Sequence, residues 1–402
     1  MADALRIALL THSINPRGGV VHVLELGRAL QARGHAVTLV APAAPGQGFF
    51  RETPCRVELA PAPLPGAGLA ETVRRRIVAM RSHVAVLLGR ERFDVLHAHD
   101  GIGANALADL AGEGRSPGYV RTVHHVDRYG DERVQAWEAR SIRAASQVLC
   151  VSALWRARLH AEHGIDAAQV DNGVDLLRYS PQPLPGDEAV AQGHGIGRRR
   201  PVVLTVGGIE ARKNTRRLLQ AMLHLRTGVP EAQLVVAGGA SLLDHRAEAE
   251  AFHAEAAAAG LRIGPGEAIV LTGPLPDAEM PALYRRADVL AMPSLLEGFG
   301  LAALEALACG TPAVVSGIAP FTEHFTGGEV EWADPLQPAS IAEALQRALA
   351  RGRHRAAPAV CRRFSWAASA ALHESLYRMA EPARTPKEIT HARHALPAAL
   401  AR

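Results

Sequence analysis

The sequence predicts an α/β protein made of two doubly wound, Rossmann-like domains that face each other across a cleft. Short apolar segments of strand length alternate with helical segments in both halves of the chain, a pattern typical of parallel sheets covered by helices. A Pro- and Gly-rich stretch with neither strand nor helix period separates the halves. The length of 402 residues also fits two domains, each large enough to bury its own core.

The first half contains five strand candidates, at residues 6–10, 36–40, 94–97, 119–123 and 147–151. Between the first two, residues 21–33 are apolar on one face and are followed by Gly34, so they predict a helix with a glycine stop signal. Residues 41–68 are rich in Pro, Ala and Gly and predict an irregular excursion. We expect the first domain to span residues 1–178.

The second half repeats this arrangement, with strand candidates at residues 202–206, 233–237, 268–271, 289–292 and 313–315. Residues 179–200 collect three prolines and several glycines, so we expect them to form the interdomain linker. The second domain is then expected at residues 201–364. Residues 381–402 are expected to form a poorly packed tail.

The composition argues against several classes of protein. No apolar run reaches the ~18 residues of a membrane-spanning helix, and the N-terminus lacks the anatomy of a signal peptide, so we expect a cytoplasmic protein. Four widely spaced cysteines without a Cys-x-x-Cys pair argue against zinc ribbons, iron–sulfur clusters and disulfide frameworks. A formal charge of +4, with no basic run interleaved with aromatic residues, argues against nucleic acid as a partner.

A pair of glycines follows the first predicted strand and leads into the first helix. Gly18 and Gly19 let the backbone approach a ligand closely, and the helix N-terminus behind them offers unpaired N–H groups to an anion. The alternative is an ordinary strand-to-helix turn.

Residues 293–312 carry the strongest functional signal of the chain. After a strand that ends at residue 292, the sequence reads Glu297-Gly298-Phe299-Gly300-Leu301, and a second glutamate follows at Glu305. A helix is predicted to begin near Gly300, so the amides of 299–301 are placed to bind a phosphate. The carboxylate of Glu305, more than one turn into the helix, is suited to a diol such as ribose, and Glu297 would reach another part of the same ligand. The alternative is two solvated glutamates that flank a turn.

This segment is similar to the Glu-x7-Glu motif of retaining GT-B glycosyltransferases, most closely those of family 4. Residues 206–214 resemble the Val-Gly-Arg-x-x-x-x-Lys loop of that family, and residues 172–175 resemble its Asn-Gly-Val-Asp hinge. Residues 364–366 resemble the start of its last helix, here about 365–380, which returns to the N-terminal domain in GT-B proteins. The resemblance extends over nearly the whole chain and also includes the Gly18-Gly19 pair.

The resemblance implies a nucleoside-diphosphate-sugar donor and a role for each matching residue. Lys213 and the 299–301 amides would bind the donor diphosphate, Glu305 the ribose and Glu297 the sugar hydroxyls. His124, after the fourth strand, matches a family histidine beside the transferred sugar, and His125 is its competitor for that role. His124, Lys213 and Glu297 are therefore the predicted catalytic residues.

One position departs from the family pattern. Gly208 stands where the family usually has an arginine, so one cation of the diphosphate clamp is missing. Either the neighbouring Arg212 replaces it, or backbone amides bind the donor more strongly. The predicted donor-binding residues are Gly18, Gly19, Gly208, Arg212, Lys213, Glu297, Gly298, Phe299, Gly300, Leu301 and Glu305.

Charge development indicates how these residues would act. Cleavage of a sugar–diphosphate bond leaves negative charge on the phosphate, which Lys213 and oriented amides stabilise without reorganising. No Asp-x-Asp stands after a strand in a metal-bridging position, so neither a metal ion nor another cofactor is expected. For an enzyme of this kind, front-face attack is implied, with the leaving phosphate accepting the proton of the acceptor.

Two alternatives come from other functional classes. His97 and His99 have the His-x-His spacing of a metallohydrolase strand, which makes a metal-dependent hydrolase the second hypothesis. The linker interrupts the series of about eight strand–helix units that a barrel hydrolase needs. The third hypothesis is a sugar-nucleotide-binding protein without catalytic activity.

Residues 69–92 combine six arginines with seven apolar residues at helical spacing. An amphipathic basic helix of this kind can rest on the anionic inner face of a membrane and meet a lipid-linked acceptor. The alternative is a surface helix that packs one face on the sheet, in which case a small molecule or a glycan is the acceptor.

Overall fold

A computed structural model describes residues 3–197, 201–239 and 245–379, which form two compact units. The first unit comprises residues 3–171 and 366–379, and the second unit comprises the described part of 172–365. The predicted tail at 381–402 and the last three residues of the predicted linker lie outside the described residues. Each unit is one parallel sheet with alternating helices, which confirms the prediction of two Rossmann-like domains.

The first unit contains a seven-stranded sheet in the order β3-β2-β1-β4-β5-β6-β7, with every neighbouring pair parallel. All five predicted strands of this half are present. Numbered along the chain, its elements are β1 Arg6–Leu10, α1 Gly18–Ala32, β2 Ala36–Ala43, β3 Arg56–Pro61, α2 Leu69–Arg90, β4 Val95–Ala98, α3 Gly101–Gly112, β5 Val120–Val123, α4 Glu132–Arg143, β6 Gln147–Cys150, α5 Ala153–His163, β7 Ala168–Gln169 and α14 Trp366–Met379.

The predicted irregular excursion at 41–68 is wrong in its middle part. β3 pairs with β2 from Thr38↔Arg56 to Ala43↔Pro61. It is the outer strand of the sheet, and its first two residues are exposed, so it lacks the apolar run of an interior strand. An edge strand with this composition gives little signal in the sequence.

The second unit contains a six-stranded parallel sheet in the order β10-β9-β8-β11-β12-β13. Two single 3₁₀ turns, Ala211–Lys213 and Asp277–Glu279, also belong to this unit. Its strands and helices, numbered along the chain, are α6 Asp187–Gly193, β8 Val202–Val206, α7 Thr215–Gly228, β9 Gln233–Ala237, α8 Arg246–Ala258, β10 Ile269–Gly273, α9 Met280–Arg286, β11 Val289–Met292, α10 Leu301–Ala308, β12 Ala313–Ser316, α11 Phe321–His324, β13 Glu331–Ala333, α12 Pro338–Arg351 and α13 Ala359–Arg363.

The predicted linker at 179–200 is not a free connection, because its described residues belong to the second unit. They include α6, which is anchored by a two-pronged ion pair, with both distances 2.6 Å, between Asp187 and Arg285 of α9. His194 lies 2.6 Å from Glu279. These attachments are polar and distant in sequence, so they leave no hydrophobic period that could have revealed the helix.

The cores lie between the sheets and the helices that cover them. In the first unit, Leu9 and Leu39 of the sheet pack with Leu26 of α1, and in the second, Val203 packs with Leu218 and Leu345. Each buried leucine of this kind contributes roughly 1.5–3 kcal/mol. None of the helices in the described part of the chain has the length and hydrophobicity of a membrane span.

Candidate active site

The same strand order makes one edge of each sheet the expected ligand site. In the first unit, successive strands are added on one side of β1 up to β3, and the next strand, β4, is added on the other side of β1. In the second unit, β8 and β11 have the same relation. Ligands of doubly wound sheets bind beyond the carboxyl ends of the strands at this switch point. The predicted site residues of the second unit follow β8 and β11, whereas in the first unit Gly18 and Gly19 follow β1 and His124 follows β5.

The loop after β8 requires glycine because of its shape. Gly207 and Gly208 have φ of +124° and +76°, which side chains rarely adopt. A Cβ on Gly207 would lie 2.8 Å from Cε of Lys213, and the carbonyl of Gly208 accepts a hydrogen bond of 3.0 Å from the Thr215 hydroxyl. The departure from the family pattern at Gly208 is therefore accompanied by a backbone conformation suited to glycine.

Asn214 joins this loop to the loop after β11. Its backbone is left-handed (φ 61°), and its buried Nδ2 donates to the carbonyls of Pro293 (2.9 Å) and Pro335 (2.6 Å). The amide of Leu295 donates to the carbonyl of Arg212 at 2.9 Å. These bonds bring Lys213 to the loop that contains the first glutamate of the Glu-x7-Glu motif.

An ionised cluster forms where the two loops meet. Glu297, only 7% exposed, accepts from Lys213 Nζ at 2.6 Å and from the Ser294 hydroxyl at 2.9 Å. Arg212 lies 3.6 Å from the other carboxylate oxygen and donates to the Leu296 carbonyl at 3.2 Å. Burial alone would raise the pKa of Glu297, but Lys213 and Arg212 outweigh it and lower the pKa to about 2. The carboxylate is therefore charged at neutral pH, with two cations beside it.

The glycine-bracketed loop ends at the N-terminus of α10. Gly300 has φ +101°, and a Cβ there would lie 2.7 Å from the buried ring of Phe321. Phe299, which Gly298 joins to Glu297, packs its buried ring against His324, with centroids 4.1 Å apart. Among the described residues, the amides of 299–301 have no hydrogen-bond acceptor. Such amides at a helix N-terminus form a binding site for an anion.

The second glutamate of the motif lies one turn along the same helix. Glu305 is the fifth residue of α10 and is half-buried. Its Oε2 accepts a hydrogen bond of 2.7 Å from the hydroxyl of Tyr284 in α9. The second unit thus brings Arg212, Lys213 and Glu297 into contact and places Glu305 on the helix that follows their loop.

In the first unit, the structure brings Gly19 and His124 together. Gly18 and Gly19 open α1, and a Cβ on Gly19 would lie 3.3 Å from Cδ2 of His124. Nε2 of His124 lies 3.3 Å from Nδ1 of His99, and the two rings stack. His125, the competitor for the same role, instead lies 3.3 Å from Asp127.

Three buried histidines of the first unit, His97, His99 and His124, are neutral at neutral pH. Burial, followed by the neighbouring imidazoles and, for His97 and His124, by Arg121, lowers their pKa values well below the ordinary value of 6.5. Both ring nitrogens of His97 lie 2.7 Å from hydroxyls, those of Tyr377 and Thr122. No group of three or more His, Cys, Asp or Glu side chains in the described ranges is arranged to hold a metal ion. The His97/His99 pair is therefore part of a buried hydrogen-bonded cluster, which does not support the hydrolase hypothesis.

Two residues that touch the glutamates were missed in the sequence. Ser294 lies three positions before Glu297, and its place in the same loop was the only available signal. Tyr284 lies 21 positions before Glu305, on another helix. No local pattern connects two residues at this separation, so only the fold shows that they are in contact.

Two Rossmann-like domains, with a glycine-bracketed Glu-x7-Glu segment before a helix of the second, define the class of GT-B glycosyltransferases. Residues 16–178 match the family Glycosyltransferase Family 4, and residues 187–359 match Glycosyl transferases group 1. The chain belongs to glycosyltransferase family 4 of this class.

Relatives and solved structures agree with this assignment. The D-inositol 3-phosphate glycosyltransferase of Xylanimonas cellulosilytica is 30% identical over 94% of this chain and 98% of its own. A GDP-mannose-dependent α-(1-6)-phosphatidylinositol monomannoside mannosyltransferase of Mycolicibacterium smegmatis is 29% identical over 81% of this chain and 85% of its own. Sucrose-phosphate synthase from Thermosynechococcus elongatus shares the fold, with a TM-score of 0.73 and 23% identity over 92% of this chain and 98% of its own.

Proposed function

We propose that this glycosyltransferase moves a sugar from a nucleoside-diphosphate-sugar to an acceptor hydroxyl with retention of anomeric configuration and without a metal ion or other cofactor. The observation that carries the proposal is the pair of cations, Lys213 and Arg212, beside an ionised Glu297 in the loop that leads to the open amides of 299–301. Cations and amides of this kind are suited to a diphosphate that gains charge as the sugar leaves.

Each group has a defined task in the proposed reaction. Lys213, Arg212 and the α10 amides bind the diphosphate, and Glu305 binds the ribose. Lys213 exchanges its contact with Glu297 for the phosphate, which leaves the carboxylate to accept hydrogen bonds from the sugar hydroxyls. His124 has, in this proposal, the role that the family resemblance implies for it, beside the transferred sugar.

Bond making and bond breaking occur on the same face of the sugar in this proposal. The bond from the anomeric carbon to the diphosphate oxygen breaks as the acceptor oxygen bonds to that carbon. The leaving phosphate oxygen accepts the proton of the acceptor hydroxyl. Two protein cations and a helix N-terminus balance the anion, so the proposed reaction needs no divalent metal.

The names of the relatives guide the choice of acceptor. The inositol 3-phosphate and phosphatidylinositol mannoside enzymes are both named for acceptors that contain a phosphorylated inositol. We therefore propose a phosphorylated inositol, free or lipid-linked, as the acceptor of this chain. The two acceptor types are assayed in parallel, as soluble inositol 3-phosphate and as phosphatidylinositol in vesicles.

The test begins with the donor. Thermal-shift titrations with UDP, GDP, ADP and dTDP select the nucleotide, and its sugars are then incubated with each acceptor in the presence of excess EDTA. We expect nucleoside diphosphate release that depends on the acceptor, and NMR of the product should show the anomer of the donor. An inverted product, or activity lost with EDTA and restored by Mg²⁺, would refute the corresponding part of the proposal.

Glu305→Ala provides the matching site test. Loss of a carboxylate that binds a ribose diol should weaken nucleotide binding roughly tenfold or more, because hydrogen bonds to charged groups are the strong ones. Isothermal titration measures the change. Unchanged affinity would show that Glu305 is not the ribose contact.

The cytoplasmic face of a membrane is the proposed place of action. α2 buries residues such as Ile77 and Met80 in the first unit, and its outer side exposes Val78 and Val86 together with Arg74 and Arg75, which pair with Glu71. Liposome flotation with anionic vesicles compares wild type with a variant in which Arg74, Arg75 and Arg76 are replaced by Glu. Equal flotation would remove the membrane from the proposal.

A further inference from the structure

Tyr284 touches the second glutamate of the site and has no role in the function proposed above. Its side chain is completely buried in α9, and its hydroxyl lies 2.7 Å from Oε2 of Glu305. Burial, followed by the charge of Glu305, raises the pKa of the hydroxyl well above 10. The hydroxyl therefore stays protonated and donates a hydrogen bond to the carboxylate.

Other contacts hold this tyrosine in a fixed position. Its carbonyl accepts a hydrogen bond from the Thr311 hydroxyl, and the ring of Tyr179 packs edge-on at a centroid distance of 5.9 Å. The buried phenol has few alternative orientations. A donor that cannot move restricts the torsions of the glutamate that accepts from it, and this lowers the entropy that a ligand must remove on binding.

We propose that Tyr284 is a positioning residue for nucleotide recognition, which holds one oxygen of Glu305 so that the other faces the ribose diol. The proposal rests on the ribose role of Glu305 given above. Tyr284 acts through Glu305 and does not itself touch the ligand. Its effect should therefore be larger with ligands that carry both hydroxyls of the ribose diol bound by Glu305.

The first glutamate has a comparable but separate support. The buried hydroxyl of Ser294 lies 2.9 Å from Oε1 of Glu297, and the buried hydroxyl of Ser316 lies 2.7 Å from the carbonyl of Ser294. Each glutamate of the motif thus has its own hydroxyl donor. Because Glu297 is assigned to the sugar and Glu305 to the ribose, removal of the two hydroxyls should affect different parts of the donor.

The test measures ribose discrimination by isothermal titration. UDP, GDP and ADP are each compared with their 2′-deoxy counterparts, and the tightest-binding pair is used for all variants. Tyr284→Phe should weaken binding of the ribonucleotide roughly three- to tenfold, the loss expected for one hydrogen bond. Binding of the deoxy analogue should weaken less, so that the ratio of the two dissociation constants shrinks.

Two variants separate positioning from a general loss of stability. Tyr119→Phe in the first unit removes an equally buried hydroxyl, which bonds to the Ser141 carbonyl at 2.9 Å, and it should leave the ratio unchanged. Ser294→Ala should also leave this ratio unchanged but should reduce the preference for the nucleotide sugar over the free nucleoside diphosphate.

A substitution on the glutamate itself keeps the test valid if Tyr284→Phe does not fold. In Glu305→Gln, the Tyr284 hydroxyl should donate to the amide oxygen and so turn the NH₂ group toward the ribose. The preference for the ribonucleotide over its 2′-deoxy counterpart should then be lost, while the protein melts near the wild-type temperature. A wild-type ratio in this variant would overturn the proposal.

The outcomes distinguish this proposal from the one on which it depends. An unchanged ratio in Tyr284→Phe, with a reduced ratio in Glu305→Ala, overturns the role of Tyr284 and leaves the ribose role of Glu305 intact. An unchanged ratio in both variants overturns both roles. A wild-type protein that binds none of UDP, GDP, ADP and their 2′-deoxy counterparts, or that does not prefer the ribonucleotide, also overturns both.

Discussion

The two sheets have the same topology, but the side chains at their carboxyl ends differ in charge. In both units the strand order reverses between two central strands, and the candidate site residues lie at the carboxyl ends of these strands or of a neighbouring strand. In the first unit this edge holds buried imidazoles with lowered pKa values, which are neutral at neutral pH. In the second unit it holds Glu297, with a pKa of about 2, beside Lys213 and Arg212.

The difference shows that topology decides where a site lies and that the loop residues decide its charge. Burial disfavours the charged form in both places. At His97, His99 and His124 the neighbouring imidazoles add to the effect of burial, whereas two cations reverse the effect of burial at Glu297. One fold thus keeps buried imidazoles neutral in the first unit and a buried carboxylate charged in the second.

The largest expected effect is on catalysis at the charged cluster of the second unit. Lys213→Ala should lower kcat about 10²–10³-fold, the usual loss for one preorganised group that stabilises developing charge. Single-turnover rates at saturating donor measure the chemical step. Wild-type rates would show that the charged cluster of the second unit does not act in transfer.

A paired variant separates the chemical loss from misfolding. Lys213→Ala leaves Glu297 buried with a weaker set of partners, which destabilises the second unit as well. The double substitution Lys213→Ala with Glu297→Gln removes that uncompensated charge. It should recover stability, while the rate stays low because Glu297 is itself assigned to the sugar. A rate that recovers together with stability would mean that the single variant was merely misfolded.

The second prediction concerns acid stability, which should fall first in the first unit. Burial lowers the pKa of His373 to about 4, whereas the unfolded chain titrates near 6.5. As pH falls from 6.5 toward 4, the unfolded state binds protons that the folded state refuses, so stability is lost in this window and is constant above it. For His373 of α14 alone, the free energy of unfolding falls by roughly 3 kcal/mol by about pH 4.

Glu297 titrates in a different window. Its folded pKa of about 2 lies below the ordinary 4.5, so its contribution is complete above pH 4.5 and is lost only below that value. Amide exchange at pH 7.5, 6 and 5, corrected for intrinsic rates, should show greater loss of protection in the first unit. The second unit contains His324, whose pKa burial lowers to about 4 and which therefore makes this unit less stable as the pH falls. In His324→Leu, the stability of the second unit should depend even less on pH. Equal losses in both units of that variant would contradict the comparison.

The smallest expected effect concerns the glycines of the two edges. Gly300→Ala places a Cβ 2.7 Å from Phe321 at φ +101° and should cost about 1–3 kcal/mol. Gly19→Ala meets His124 at 3.3 Å, without a positive φ, and should cost less than about 1 kcal/mol. Urea denaturation measures both, with Gly228→Ala, which meets nothing within 4 Å, as the neutral control. A larger loss for Gly19 than for Gly300 would reverse the comparison.

Interior strands were predictable, whereas three of the four edge strands were not. All ten predicted strands are present, because buried parallel strands are continuous apolar runs such as β8 and β9. The edge strands β3, β7 and β13 were missed, because β3 lacks an apolar run and β7 and β13 have only two and three residues. α6 was missed because its main anchor is the ion pair between Asp187 and Arg285.

The candidate site was predictable only where its residues are close together in the sequence. Glu297, Gly300 and Glu305 form one motif whose spacing around a strand-to-helix turn predicts their neighbourhood. The contact between Lys213 and Glu297 joins two loops, and sequence resemblance alone related them. The hydroxyl of Tyr284 on Glu305 had no signal of either kind.

The order of strands and helices, the glycine turns and the glutamate motif were determined by the sequence itself, because hydrophobic period and backbone freedom are local properties. The tertiary structure alone decided the charge states and the supporting donors. A pKa depends on burial and on charges brought from distant loops, as at Glu297, and a hydrogen bond such as that from Tyr284 to Glu305 exists only once two helices have packed.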